Sequence, residues 1–403
     1  MMSRFACLAV ASLALGGFAQ TVHSAGFGLI EQNGSGMGNA YAGQAASAQD
    51  ASTIFFNPAG MTRLPDRQVV AAGHLFAHQT EFSGTVSPAI GGGNGGDAGG
   101  LSLVPNGYFA FRLTPEVHLG IGVFAPFGLK TEYDATWVGR VHAIESDLKT
   151  ININPSIAWK LGETLSLGAG VSMQYIEATL SNSAGPGAVG EVKGDDVGWG
   201  FNLGALWQLT PQTRVGLAYR SEIEHELEGD LRVNGAVVAA PVFADATLPD
   251  TLALSLQHTL NERWELLADV TWTGWSDFDV LDIVNAAGAS VVPPVRENWD
   301  DSYRYSLGAN YQLNERVKLR GGIAFDETPV SDPFRTARIP DEDRTWLALG
   351  VQYRLSPASL IDFGYTHLFV DEAPINEFRS GVTLSGEYET VVDIFSVQLT
   401  HNF

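Results

Sequence analysis

The residues of this chain that could do chemistry are few, and their spacing argues for holding a molecule rather than transforming one. No GxSxG, no HExxH and no clustered Cys or His set occurs, and His74 and His78, on one strand face, stand too far apart for an ordinary two-histidine metal clamp. Gly91-Gly-Gly-Asn-Gly-Gly96 formally matches GxGxxG, but no strand-to-helix context accompanies it, so no phosphate cradle is implied. Asp341-Glu342-Asp343 has the oxygen chemistry of a divalent-ion site and equally that of a solvated acidic loop. No catalytic residue, metal-ligand set or cofactor is expected. What remains is aromatic and basic: Phe27, the pair Phe55-Phe56, and Arg320. The phenylalanines could line an apolar pocket or pack one segment against another. Arg320 shares one face of its strand-like run with Lys318 and Asp326, so its guanidinium could meet a ligand carboxylate or be neutralised in a ladder of charges.

The elements that must position these residues are strands. Six polar turns recur in one guise, such as Arg112-Leu-Thr-Pro-Glu-Val117 and Gln312-Leu-Asn-Glu-Arg-Val317, and their leucines are 48, 48, 51, 53 and 42 residues apart. That spacing fits one hairpin plus one longer return loop per step. Between Val197 and Leu209 the odd positions are bulky and apolar while the even ones are mostly small or polar, and the same parity recurs in the other runs. Period-2 alternation repeated this often describes a sheet with two different solvents on its faces. A soluble sandwich would satisfy the pattern too. The final run, Phe395-Ser-Val-Gln-Leu-Thr-His-Asn-Phe403, closes on an aromatic residue in the manner of outer-membrane barrel proteins, which makes hydrocarbon the outer solvent.

Six turns join twelve strands, and one more before and one after give an all-β, 14-stranded antiparallel transmembrane barrel with short turns at one end. Outer loops are expected at Gly91 to Gly100 and near 181–196, 223–248, 274–302 and 371–387. Met1 to Ser24 reads as a secretory signal, with Arg4 before an apolar stretch and small residues before Ala25. The single cysteine, Cys7, falls inside it, so no disulfide is expected afterwards. The net charge of −22 speaks against nucleic acid as a partner. Residues 25–64 do not alternate; rich in glycine and alanine, they suit a compact hatch inside the lumen of a barrel formed by 65–403.

Several of these motifs are similar to one family. Ala25-Gly-Phe-Gly-Leu, Gly36-Met-Gly-Asn-Ala-Tyr-Ala-Gly43, Asn57-Pro58-Ala59, Ala125-Pro-Phe-Gly128, Thr136-Trp-Val-Gly-Arg140, Gly322-Ile-Ala-Phe-Asp326 and Ile339-Pro-Asp-Glu-Asp-Arg-Thr-Trp346 resemble the long-chain fatty acid transport (FadL) family of Gram-negative outer membranes. The resemblance covers essentially the whole chain after the signal. It implies a monomeric plugged barrel among outer-membrane lipid and lipopolysaccharide, taking up long-chain fatty acids or other hydrophobic small molecules passively. Loops would capture the ligand, a pocket beside the hatch would hold it, and it would leave sideways where the third strand kinks.

In this chain that strand is broken by Ala125, Pro126, Phe127 and Gly128. Proline removes a ladder donor and glycine relaxes the backbone, although a strand end entering a loop would read the same way. Phe27, Phe55 and Phe56 could line the pocket beside the hatch or pack the plug against the wall, Arg320 matches a basic position of the family and could meet a carboxylate, and Asn57 could hold a turn that Pro58 fixes before Ala59, a structural gate. Glu177 stands where a basic residue is expected in a fatty-acid binder, which favours an uncharged aromatic or aliphatic hydrocarbon instead. A general diffusion porin is the rival of another class.

Overall fold

A computed structural model describes residues 25–403 of the protein. The expected signal, Met1 to Ser24, lies outside the described residues. The alternating runs form strands that must hide a polar backbone on both edges, and the sheet does so by closing on itself. β1 (Arg67–Ser87) pairs with β2 (Gly100–Arg112) on one side and with the last strand, Val382–Asn402, on the other. When stretches that continue each other across a kink are counted together, the wall is an antiparallel barrel of 14 strands, the number read from the turns. Closure leaves no unpaired edge for lipid to meet. Among the described residues no helix is long and apolar enough to cross a membrane.

Parity decides what each face sees. Trp199 is 64% and Trp207 55% exposed on the outside, whereas Asn202 and Leu206 between them are buried inside. Leu75, Ile157, Leu254, Leu307 and Leu349 continue the outer apolar surface around the barrel. Only a hydrocarbon surrounding makes such a surface stable.

Three of the five expected loops are instead strand hairpins. Leu165–Gly185 pairs with Ala188–Gln208 to their tips, Ile223–Val233 with Ala236–Leu248, and Ala373–Arg379 with the last strand. In the outward extension the polarity inverts, with Ile223, Leu227 and Ile375 buried inward and Glu224, Glu226 and Asn376 turned outward, so the parity of the membrane-facing runs is lost while the backbone ladder continues. Only 91–99 and 274–302 remain largely irregular.

Residues 25–64 fill the lumen. Single turns α1 (Gly34–Met37), α2 (Gln44–Ser47) and α3 (Thr53–Phe56) and a 3₁₀ turn, Pro58–Arg63, are buried against the inner wall. Wall glycines make room for them: a Cβ on Gly216 would lie 1.9 Å from the Ala45 carbonyl oxygen, and one on Gly322 would lie 2.2 Å from the Asn39 backbone. The small, even-numbered face read from the sequence is therefore the docking face for the plug.

Candidate functional site

The third strand is the irregular one. β3 (Val117–Phe124) stops, residues 125–127 leave the ladder, and the strand resumes as Gly128–Glu132. On one side it stays paired with β4 (Glu145–Leu161) through both halves. On the other side β2 keeps its β3 partner only from Gly107 to Arg112, so Gly100 to Asn106 face no continuation of β3. Pro105 sits in that unpartnered stretch, where a missing N–H is tolerated. A proline in the middle of an otherwise strand-like run was the sequence signal for this gap, and the sequence reading above passed it over.

The plug compensates the break. Leu29 N donates to the Pro126 oxygen at 2.8 Å and Gly128 N to the Phe27 oxygen at 2.9 Å. Gln32 Nε2 donates to the Ala125 oxygen at 2.7 Å, and Phe127 N to Thr150 Oγ1 at 3.1 Å. The backbone groups released by Pro126 and Gly128 thus find partners in the segment that starts at Ala25, as buried peptide groups must.

Two apolar cavities flank that segment. The inner one, about 140 Å³, is bounded by Phe55, Phe56 and Pro58 of the plug, by Pro126 and Phe127 of the break, and by Arg220 and Arg304 of the wall. The outer one, about 90 Å³, is lined by Phe27, Leu129, Ile176, Leu248, Glu297 and Ile339 among others. It shares Leu180, Val192, Ile283 and Arg338 with a vestibule of about 960 Å³ under the long hairpins. Phe27 stands between the two, its ring 4.7 Å from Trp275, 5.6 Å from Trp299, 5.6 Å from Phe278 and 6.1 Å from Phe127. An aromatic cage of this kind stabilises by area and by edge-to-face contact. Its backbone is tied too, since Gly26 N donates to Asp341 Oδ2 at 2.8 Å.

Of the residues singled out from the sequence, Phe27, Phe55, Phe56 and Ala125 to Gly128 are brought together around these cavities. Asn57 caps the 3₁₀ turn by accepting from Ala59 N at 3.1 Å, and it donates to the Ala45 and Ala205 oxygens at 2.7 and 3.0 Å. Pro58 opens that turn, and Pro58 and Ala59 pack on Gly168 and Gly204 of the wall.

Arg320 is placed otherwise than the carboxylate role requires. Buried beneath the plug, it donates to Asp362 Oδ1 at 2.9 Å and to Gln49 Oε1 at 2.8 Å and borders neither cavity. Its partner is Asp362, two strands along the wall, rather than Asp326, and the guanidinium is neutralised there. Glu177 is paired with Lys193 at 3.1 Å. The acidic triplet is engaged as well: Asp341 meets Arg344, Glu342 meets Arg335, and Asp343 accepts from Thr328 N.

The sequence reading missed Arg304. Its Nη2 donates to the Ala40 oxygen at 2.8 Å and its guanidinium lies 4.7 Å from the Trp346 ring, but Nε and Nη1 have no hydrogen-bond partner among the described residues. Arg220 donates to the Phe55 oxygen at 3.0 Å and stacks on that ring at 4.6 Å. Both lie on inward positions of alternating runs, a signal that was available but not unique to them. Nearby, Glu31 of the plug is fully buried with Oε2 unpartnered, and burial raises its carboxyl to about 7 against the pull of Arg304 and Arg344.

Residues 16–403 match the family model described as outer membrane protein transport protein (OMPP1/FadL/TodX). Outer membrane protein P1 of Haemophilus influenzae is 30% identical, with 97% of each chain covered. The long-chain fatty acid transport protein of Escherichia coli (strain K12) is 28% identical over 88% of this chain and 90% of that one. The crystal structure of a Pseudomonas aeruginosa FadL homologue superposes with a TM-score of 0.88 at 26% identity, covering 94% of this chain and 100% of the other.

Proposed function

The chain belongs to the FadL and TodX family of outer-membrane transport proteins for hydrophobic molecules, and from that premise we propose that it carries long-chain fatty acids passively from the vestibule through both cavities and releases them sideways at the β3 break. The observation that supports this most is the inner cavity, where plug phenylalanines, the break in the wall and an arginine with unpartnered donors meet. A water-filled hole would not serve such a ligand, because exposing it costs about 0.8 kcal/mol per CH₂. A chain of apolar cavities removes that cost along the path. Filled by residues 25–64, the lumen is unsuited to the general diffusion that a porin requires.

In this reading the tail lies against Phe55, Phe56 and Phe127, and the carboxylate meets Arg304 and Arg220 in place of Arg320. The Asn57-Pro58-Ala59 turn holds the floor of the cavity and acts as the gate. Lateral release follows the gap between β2 and β3, whose backbone is already supplied with partners by the plug.

A charged hydrogen bond is worth ~1.5–3 kcal/mol, so Arg304→Met is expected to weaken palmitate binding by about tenfold or more and leave hexadecane binding nearly unchanged. Binding of radiolabelled palmitate and hexadecane to the purified protein in nanodiscs measures this. Equal losses for both, or none for palmitate, would remove Arg304 from the site. Uncharged hydrocarbon as the natural cargo is the second reading, favoured by Glu177 at a position where a basic group was expected; tight hexadecane binding beside weak palmitate binding in the unaltered protein would select it.

A further inference from the structure

The outer cavity holds an ionisable group that no part of this route has used. Glu297 is 2% exposed, lies in the irregular segment 274–302 and borders the cavity. Trp299 Nε1 donates to its Oε2 at 3.2 Å, and no described residue hydrogen-bonds its Oε1. The two cations bordering the same cavity are held by groups other than Glu297. Arg338 donates to the Glu145 oxygen at 3.0 Å, to Ser146 Oγ at 3.1 Å and to the Ser181 oxygen at 3.3 Å. Lys193 is held by Glu177 at 3.1 Å.

We propose that Glu297 makes the outer cavity selective for an apolar molecule with an uncharged, hydroxyl-bearing head, an alcohol or an un-ionised acid, and turns away the carboxylate form. A carboxylate brought beside Glu297 would meet a second acceptor that no described cation hydrogen-bonds, Arg338 being turned to the Glu145, Ser146 and Ser181 oxygens, and two like charges in an apolar site repel strongly. A hydroxyl can donate to Oε1 and leaves no buried group unpaired. Burial raises the Glu297 carboxyl to about 7, with Glu377 adding to the rise and Arg338 and Arg379 opposing it, so near neutrality the group can also donate to a hydroxyl oxygen. A fatty acid therefore passes this point as RCOOH. Glu297 is in this sense a specificity determinant for the transport reading on which the proposal rests.

The test uses the purified full-length protein in nanodiscs at pH 8 with two photoreactive probes, a diazirine-bearing dodecanol and the matching dodecanoate, and peptide mapping of the labelled sites. Labelling at the outer cavity, around Leu129 and Leu248, is expected to favour the alcohol by about tenfold. Glu297→Gln keeps the shape and the hydrogen bonds and removes the charge, so it should retain alcohol labelling and raise carboxylate labelling severalfold. Glu297→Leu should lower alcohol labelling and abolish the preference; should that variant misfold, the Gln variant carries the result. Equal labelling by both probes in the unaltered protein, or a preference unchanged by Glu297→Gln, overturns the proposal. Labelling of the outer cavity by neither probe overturns the transport route itself and the proposal with it.

Discussion

The two cavities on either side of Phe27 are built alike, and what separates them is which ionisable group is left with unused hydrogen-bonding capacity: Arg304 in the inner one and Glu297 in the outer one. Each is walled by aromatic and branched aliphatic side chains, so the tail of a ligand meets the same environment in both. The inner one offers Arg304 with two nitrogens that no described residue hydrogen-bonds, and the outer one offers Glu297 with its neighbouring cations held by other groups. Transfer of an apolar chain between them is close to neutral in free energy. Discrimination then falls on the head group, where a single buried charge outweighs several methylenes. Only the inner cavity touches the break in the wall, so only a ligand that has passed Phe27 reaches a way out.

The most severe way to break this comparison is to remove that way out. Replacing Ala125-Pro-Phe-Gly128 by Val-Thr-Val-Thr restores an alternating strand and the β2–β3 ladder. Uptake of radiolabelled palmitate by cells lacking any other such transporter is expected to fall to near background, while resistance to thermal unfolding stays equal or rises. Undiminished uptake by a well-folded variant would mean that the inner cavity empties elsewhere.

A smaller effect is expected from merging the cavities. Phe27→Ala deletes a ring that touches Trp275, Trp299, Phe278 and Phe127, a core truncation of the kind that costs ~3–5 kcal/mol. Faster hydrogen exchange in residues 25–33, a tryptophan emission shifted to the red, and loss of the difference in head-group preference between the two cavities should appear together. Unchanged exchange would show that the backbone ties of Gly26, Leu29 and Gly128 hold the partition without the ring.

The mildest test concerns Glu31, which lies in the plug near Arg304, Arg344 and Asp326. Its carboxyl is raised from 4.5 to about 7, so the folded plug binds the proton more tightly than an opened one. The stability this gives is complete below pH 4.5 and is lost as the pH rises through about 7, with a rough upper bound of ~3 kcal/mol. Protection factors of residues 25–33, which remove the intrinsic pH dependence of amide exchange, should fall over that window in the unaltered protein and stay level in Glu31→Gln. The same fall in the variant would assign the titration to another group.

How much of this was legible follows from the range of each interaction. The strand number, the inward parity of Asn202 and Arg320, the plug and the broken third strand all come from patterns within a few residues of one another. The segments at 181–196, 223–248 and 371–387 do not read as strands of the same kind because outside the membrane the apolar side turns inward and the polar side outward, the reverse of the membrane-facing runs, although the hydrogen-bonded ladder continues. Arg320 was misassigned for a different reason. Its face could be read, but Asp362 lies 42 residues away and two strands along the wall, and nothing local says that the two pair.

By itself, the sequence determined a closed antiparallel barrel with an apolar outside, a glycine-lined inside and a small-residue segment to fill it, because period-2 alternation and tight turns act through covalent neighbours and through solvent. Tertiary structure alone decided which buried charges are satisfied and which face a cavity. Arg304, Arg320 and Glu297 are ordinary inward or loop residues in the chain. Their difference arises when distant segments converge: Asp362 closes on Arg320, Trp299 takes only Oε2 of Glu297, and the Ala40 oxygen takes only Nη2 of Arg304, leaving its Nε and Nη1 without partners among the described residues. A hydrogen-bond partner taken up or left out across the lumen is a property of the folded shape, and the sites of this protein rest on that property.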